Sequence, residues 1–289
     1  MEAHTKTVKD ILALSESYLA QRGVEQPRLM GELLLSRLLR RPRLELSLDF
    51  ARVLPESHLE AMRRGLKRVG EGEPVQYVLG ETGFMNHVFK VDSRALIPRP
   101  ETETLVRLVL ECPTLWQHER PALADVGTGS GCIALSLAAA RPQGRYLALD
   151  VSEDALALAR ENAARLGLGE RVIFTSEALS DIIEPETLDA ITANLPYIPT
   201  AALETLPKNV REHEPRLALD GGASGLDIIT SVVEDAAIVL RSGGMLFLEI
   251  GEEQGLAVRR LMEGAGFGDV AVHPDLNGRD RVASGRLAM

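Results

Sequence analysis

The chain has 289 residues, 45% hydrophobic and 26% charged, which suits a globular protein of one or two domains and includes no apolar run near the roughly 20 residues that span a bilayer. Its formal net charge of −10 is uneven: residues 1–72 carry 13 Lys+Arg against 10 Asp+Glu, and the other 217 carry 19 against 32. So acidic a second part makes a poor general binder of nucleic acid, whose affinity rests on neutralised phosphates, and no direct nucleic-acid partner is expected.

Residues 5–72 read as helices. Val8, Ile11, Leu12, Tyr18 and Leu19 keep helical spacing, as do Met30, Leu33, Leu34 and Leu38, then Leu59, Met62, Leu66 and Val69, with Gly23, Pro27, Pro42 and Pro55 between them. Stripes of this kind are core. The basic cluster Arg37, Arg40, Arg41 and Arg43 reads as a solvated face. Gly70, Gly72 and Pro74 mark the exit from this module. Residues 74–106 then alternate like strands, with Gly80 and Gly83 suited to a hairpin turn, and end in a helix with Pro100 at its first position and Glu101 and Glu103 in its first turn.

From residue 122 strand and helix patterns alternate, which implies a mostly parallel sheet. Strands are expected at 122–126, 146–150, 171–175, 188–193 and 244–250, a helix over 152–167 capped by Ser152 and ended by Gly167, and a closing antiparallel pair at 268–273 and 281–287.

The stretch ADVGTGSGCIALSLA, residues 124–138, carries the chemistry. A strand end, a turn with Gly127, Gly129 and Gly131, and an Ala-rich helix make the first unit of a nucleotide-binding Rossmann-like sheet. Glycines are needed where a ligand approaches the backbone closely and where φ must be positive. The spacing is G-x-G-x-G, with Cys132 where a dinucleotide site wants its last glycine or alanine. Asp150 follows 19 positions after Gly131, at the end of the next strand, where a carboxylate can accept both hydroxyls of an adenosine ribose. Together these point to S-adenosylmethionine rather than a nicotinamide dinucleotide.

A second site follows. Asn194-Leu195-Pro196-Tyr197 lies at the carboxyl end of the fourth strand, and ligands in doubly wound sheets bind at the switch point between the first and fourth strands. An amide or aromatic amine nitrogen is a poor nucleophile because its lone pair is delocalised. The Asn194 side-chain oxygen and a backbone carbonyl can each accept one N–H and favour pyramidalisation toward a methyl donor. Tyr197 can stack on the planar substrate group, and Pro196 stiffens the loop. Cys112, Cys132 and the six histidines show no metal spacing, so no metal is expected. The start MEAHTKTVKD lacks a signal-peptide pattern, and the expected compartment is the cytoplasm, with no membrane partner.

Nearly the whole chain resembles the HemK-type release factor glutamine methyltransferases. The resemblance runs through GEPVQYVLG at 72–80, LIPRPETETLV at 96–106, DVGTGSGCIAL at 125–135, ALDVSEDALALARENA at 148–163, NLPYI at 194–198, VREHEPRLALDGGASGLDII at 210–229, GGMLFLEIG at 243–251 and NGRDRV at 277–282. IPRPETE together with EPRLALDGG is its most specific part. It implies methylation of the side-chain amide nitrogen (N5) of glutamine in the GGQ motif of class-1 peptide chain release factors, with S-adenosylmethionine as donor and S-adenosylhomocysteine as product. It also implies an α/β fold: a Rossmann-like seven-stranded S-adenosylmethionine-dependent methyltransferase domain at 99–289 and a small N-terminal helical substrate-recognition domain at 1–72, joined by a β-hairpin over 73–98. The donor would be held by Gly127, Thr128, Gly129, Ser130, Gly131, Asp150, Val151, Ala178 and Asn194, and the target glutamine by Asn194 to Tyr197. Pro100 to Glu103 would lie near the donor's methionine end.

The chain departs from the family pattern at Leu195, where the motif N-P-P-Y has proline, at Ala178, where an aromatic often faces the adenine, and at Met85-Asn86 in the hairpin. Leu195 keeps its carbonyl and loses only the φ restriction. Alternatives are glutamine methylation of a ribosomal protein, amino methylation of a nucleic-acid base, which N-P-P-Y-like loops also serve, and a non-catalytic S-adenosylmethionine-binding protein.

Overall fold

The computed structural model describes residues 6–288, and their packing divides the chain into two units, one of residues up to Gly80 with Pro207–His213 and one of Glu81–Leu206 with the residues from Glu214 onward. In the first unit, α1 (Val8–Ala20), α2 (Pro27–Leu39) and α3 (Glu56–Gly70) pack their apolar stripes together, with Leu19, Leu35 and Leu46 at 2% exposure or less. Thr7 caps α1 reciprocally: its hydroxyl accepts from the Asp10 N–H at 3.3 Å while Asp10 accepts from the Thr7 N–H at 2.9 Å. Pro27 is the first residue of α2, where its missing N–H costs nothing. Arg41 and Arg43 sit in exposed ion pairs with Glu45 and Glu32. A short helix, α4 (Val75–Leu79), replaces the strand expected after Pro74, and Gly80 at φ +74° ends it.

In the second unit β1 (Glu81–Phe84) and β2 (His87–Lys90) form the hairpin. Its turn is Met85-Asn86, with Met85 at φ +51°, and not the glycines. Gly83 lies inside β1, and the left-handed Met85 is held by its N–H donating to Glu103 Oε1 at 2.7 Å. Next, α5 covers Thr102–Leu110, two residues later than Pro100 implies.

A seven-stranded sheet follows, built from β3 (Ala122–Val126), β4 (Arg145–Leu149), β5 (Val172–Thr175), β6 (Leu188–Asn194), β7 (Leu240–Glu249), β8 (Phe267–Pro274) and β9 (Asp280–Leu287) in the order β5-β4-β3-β6-β7-β9-β8. The first five are parallel, and β9 runs antiparallel between β7 and β8. Helices α6 (Cys132–Ala140), α7 (Glu153–Arg165), α8 (Leu179–Ile182), α10 (Asp227–Val239) and α11 (Gly255–Gly264) alternate with the strands, while the single turn α9 (Lys208–Arg211) belongs to the first unit. The Ser152 hydroxyl caps α7 by accepting from the Ala155 N–H at 3.2 Å. Cys132 is buried at the start of α6. Two apolar cores result, one around α5 and α6 and one around α10 and α11. No helix among the described residues is long and apolar enough to cross a membrane.

Candidate active site

The strand order reverses between β3 and β6, and open α/β sheets hold ligands outside the carboxyl ends of the strands at such a point. Here the second unit contains a cavity of about 410 Å³. Small-molecule sites span roughly 300–1,000 Å³. Of the residues singled out in the sequence, Gly127, Thr128, Gly129 and Ser130 line it from the turn after β3. Asp150 and Val151 line it after β4, Ala178 ahead of α8, and Asn194, Leu195 and Pro196 at the end of β6. Gly131 and Tyr197 are not in the wall, and of Pro100 to Glu103 only Thr102 is.

The turn has the backbone its glycines imply: Gly127, Gly129 and Gly131 sit at φ +71°, +55° and +83°. A Cβ on Gly129 would meet nothing nearer than 3.8 Å, so the backbone is open to a ligand there. Gly131 serves packing instead, since a Cβ would stand 2.9 Å from Leu135 Cδ1 and 3.2 Å from Ala159. Buried Asp125 locks the turn to the sheet. It accepts from the Thr128 hydroxyl at 2.6 Å, the Thr192 hydroxyl at 2.9 Å and the Ala134 N–H at 3.3 Å. Burial nevertheless pushes its carboxyl up to about 6. Asn162, wholly buried, donates to the Ser130 and Lys90 carbonyls and accepts from the Lys90 N–H, fastening the turn to the hairpin.

Asp150 spends one oxygen on the Gly129 N–H at 2.8 Å and the other on the Ser152 N–H at 2.9 Å. Burial raises its carboxyl above the usual range, and these two bonds oppose that. Each oxygen keeps a lone pair, so the carboxylate can still accept from two ribose hydroxyls. Leu149, Val151, Ala178 and Leu179 beside it give an apolar surface suited to a flat base. The cavity therefore fits an adenosyl group.

The loop 194–198 is braced from behind. Ile198 N–H donates to Leu219 O at 3.2 Å and Gly221 N–H to Ile198 O at 2.8 Å, while Gln254 donates to Tyr197 O at 3.0 Å. A Cβ on Gly221 would lie 2.7 Å from Pro196 O, so only glycine lets the two segments approach this closely. Leu195 is 5% exposed, with Cδ2 3.1 Å from where a Gly127 Cβ would be, and it fills the space between the two loops. The Tyr197 ring packs into the apolar cluster behind the loop, where burial pushes its hydroxyl up to about 12. Asn194 Nδ2 donates to Thr102 Oγ1 at 3.2 Å.

Four residues brace this framework, and only Gln254 lies outside the stretches that carry the resemblance. Thr102 and Gln254 are bracing partners, and Glu214, buried, pairs with Arg99 and accepts from the Ile97 N–H, which ties IPRPETE to EPRLALDGG. Glu249, at the end of β7, stands in register with Asn194. The contacts join positions 55 to 117 apart in the chain, at no spacing that periodicity can flag.

Residues 10–80 match the family model described as PrmC N-terminal domain, and residues 123–213 match one described as Methyltransferase domain. The chain is 45% identical to a release factor glutamine methyltransferase of Moorella thermoacetica, over 95% of this chain and 96% of the relative. Its identity to one of Chlorobaculum tepidum is 41%, over 95% of each. The chain belongs to the release factor glutamine methyltransferase family. A solved methyltransferase from Pyrococcus furiosus, 16% identical with a TM-score of 0.50 over 70% of this chain and 89% of that one, shares the fold. Asn194 stands at the edge of the cavity, at the end of β6. No group of three His, Cys, Asp or Glu among the described residues is placed to hold a metal.

Proposed function

We propose that this chain transfers a methyl group from S-adenosylmethionine to the N5 side-chain amide nitrogen of the glutamine in the GGQ motif of class-1 peptide chain release factors. The similarity along 95% of the chain to relatives named for release factor glutamine methylation carries the reading. It agrees with a switch-point cavity edged by Asn194, Leu195 and Pro196.

Bound S-adenosylmethionine supplies an electrophilic methyl on a sulfonium, leaving S-adenosylhomocysteine. Gly127, Thr128, Gly129 and Ser130 would line its site, with open backbone at Gly129, Asp150 would take the ribose hydroxyls, and Val151 and Ala178 would face the base. Asn194 Oδ1 and the Leu195 carbonyl each accept one N–H of the substrate amide, holding its nitrogen in line with the donor and drawing its lone pair out of conjugation. Pro196 and Tyr197 hold the loop that sets this geometry. The proton leaves after transfer, so positioning matters more than a strong base. In this reading the helical N-terminal part, over 1–72, recognises the protein substrate, the hairpin over 73–98 connects it to the methyltransferase domain at 99–289, and the reaction takes place in the cytoplasm.

Mass spectrometry of a purified class-1 release factor incubated with the protein and S-adenosylmethionine tests the proposal. One methyl on the GGQ glutamine, absent with Asn194→Ala, is the expected result. Donor binding without transfer would overturn it.

A further inference from the structure

Among the described residues, three carboxylates stand in the wall of the cavity: Asp150, Glu177 and Asp235. Asp150 is committed to the Gly129 and Ser152 N–H groups and, in the proposed function, to the ribose. Glu177 is exposed and accepts from the Thr175 hydroxyl at 3.2 Å. Asp235 is half-buried and makes no hydrogen bond or ion pair among the described residues.

The position of Asp235 departs from the pattern of its helix. Ile228, Val232 and Asp235 stand at i, i+4 and i+7 of α10, so they share one face, and all three line the cavity. Val232 is buried, and a further apolar residue would extend the stripe. A carboxylate set into such a row against a ligand cavity breaks the local rule where a function can explain it.

The base half of the cavity has an end as well as faces. Leu149, Val151, Ala178 and Leu179 form the apolar surface suited to a flat base. Leu179 opens α8 and packs in one apolar cluster with Val232 and Ile228, so the Ile228–Val232–Asp235 face of α10 continues the wall beyond that surface. Adenine carries its amine at the end of the ring system away from the sugar. With the ribose at Asp150, the amine is directed away from Asp150 and toward this wall.

We propose that Asp235 sets the base specificity of the donor site, its carboxylate accepting from the exocyclic amine of the adenine. The proposal rests on the reading of the cavity as an S-adenosylmethionine site. An ionised carboxylate can only accept a hydrogen bond. It therefore favours an amino group at that ring position and disfavours a carbonyl oxygen, which hypoxanthine and guanine carry there.

Calorimetric titration of the full-length protein tests this with two ligands, S-adenosylhomocysteine and S-inosylhomocysteine, whose base has a carbonyl in place of the amine. Neither has a methyl to transfer, so binding is read without turnover. Wild type should bind the adenosyl compound roughly 10-fold tighter. In Asp235→Asn the carboxamide can turn its NH2 toward a carbonyl oxygen. The preference should then shrink to near parity or reverse, with a gain in affinity for the inosyl compound. Asp235→Leu, which continues the apolar face of α10, should lose the preference without that gain, and it decides the matter if Asp235→Asn does not fold.

A merely structural role would weaken both ligands alike and leave their ratio unchanged. An unchanged ratio in Asp235→Asn or Asp235→Leu overturns the proposal, as does a wild type that binds the two compounds equally. So does a ratio lost in Glu177→Gln and kept in Asp235→Leu, which assigns the amine to Glu177. A wild type that binds neither compound defeats the donor reading and this proposal together. One that binds the adenosyl compound but methylates no release factor defeats only the proposed acceptor, and the ratio still decides the role of Asp235.

Discussion

Asn194 offers the clearest single-residue prediction. Removing one preorganised polar group at a reacting centre costs about 10²–10³ in kcat, so Asn194→Ala should fall by that factor in single-turnover methyl transfer while donor affinity by calorimetry falls less. Leu195 behaves differently from what its position in the motif implies. From the sequence it is a leucine standing where the family has proline, a matter of loop stiffness. In the structure its side chain is buried against the Gly127 turn. Leu195→Ala should therefore lower stability by about 2–3 kcal/mol, read from denaturant unfolding, because it opens a hole between the two loops. That side-chain role is invisible in a motif, which records which residue is present but not what it touches.

Among the turns and strands, glycine content divides into positions that carry conformation alone and positions that carry contact. Gly131 does both, with φ +83° and a neighbour 2.9 Å from a would-be Cβ, whereas Gly278 has φ +79° and open space. Gly131→Ala should cost about 2–4 kcal/mol and Gly278→Ala about 1 kcal/mol, a difference that thermal melts will resolve. Gly221→Ala should separate function from stability, because the added methyl strikes the Pro196 carbonyl in the substrate loop. Transfer should drop roughly 10-fold or more, since small misplacement of a positioned group is expensive, with a smaller fall in melting temperature than for Gly131→Ala. The strands of the parallel sheet and the glycine turn were legible in the sequence because period and positive φ are local properties. The hairpin turn was not. Glycines at 80 and 83 are the obvious candidates, but Glu103, eighteen residues beyond Met85, holds that methionine in the left-handed region and moves the turn. The helix α4 was lost for a related reason, since VQYVL is too short for period to separate helix from strand. The framework of Glu214, Gln254, Thr102 and Glu249 exists only through contacts distant in sequence.

For the molecule as a whole, buried carboxyls set how stability depends on pH. Asp125 at about 6 and Glu249 at about 7 are both raised, so the folded state keeps protons that the unfolded state releases. Their contribution is therefore full below about pH 4, declines as pH rises to about 7, and is level above that. Chemical denaturation at pH 5 and pH 8 should show the wild type losing more across this interval than Glu249→Gln. At pH 8 the variant should be the more stable by on the order of 1–3 kcal/mol, because an unpaired charge no longer has to be buried.

The strand order has a consequence for synthesis. Strand β9 is the last of the sheet in chain order but lies in its interior, between β7 and β8. Until residues 280–287 have been made, β7 keeps an open edge along Met245–Glu249, and β8 has no partner at all. The nascent chain therefore cannot complete its sheet progressively from the N-terminus. It must wait with an apolar edge exposed beside the end of the strand that bears Glu249. A chain interrupted just before Asp280 should accumulate as aggregate rather than as a slightly shortened enzyme, and supplying residues 275–289 as a separate peptide should rescue solubility by filling the gap between β7 and β8.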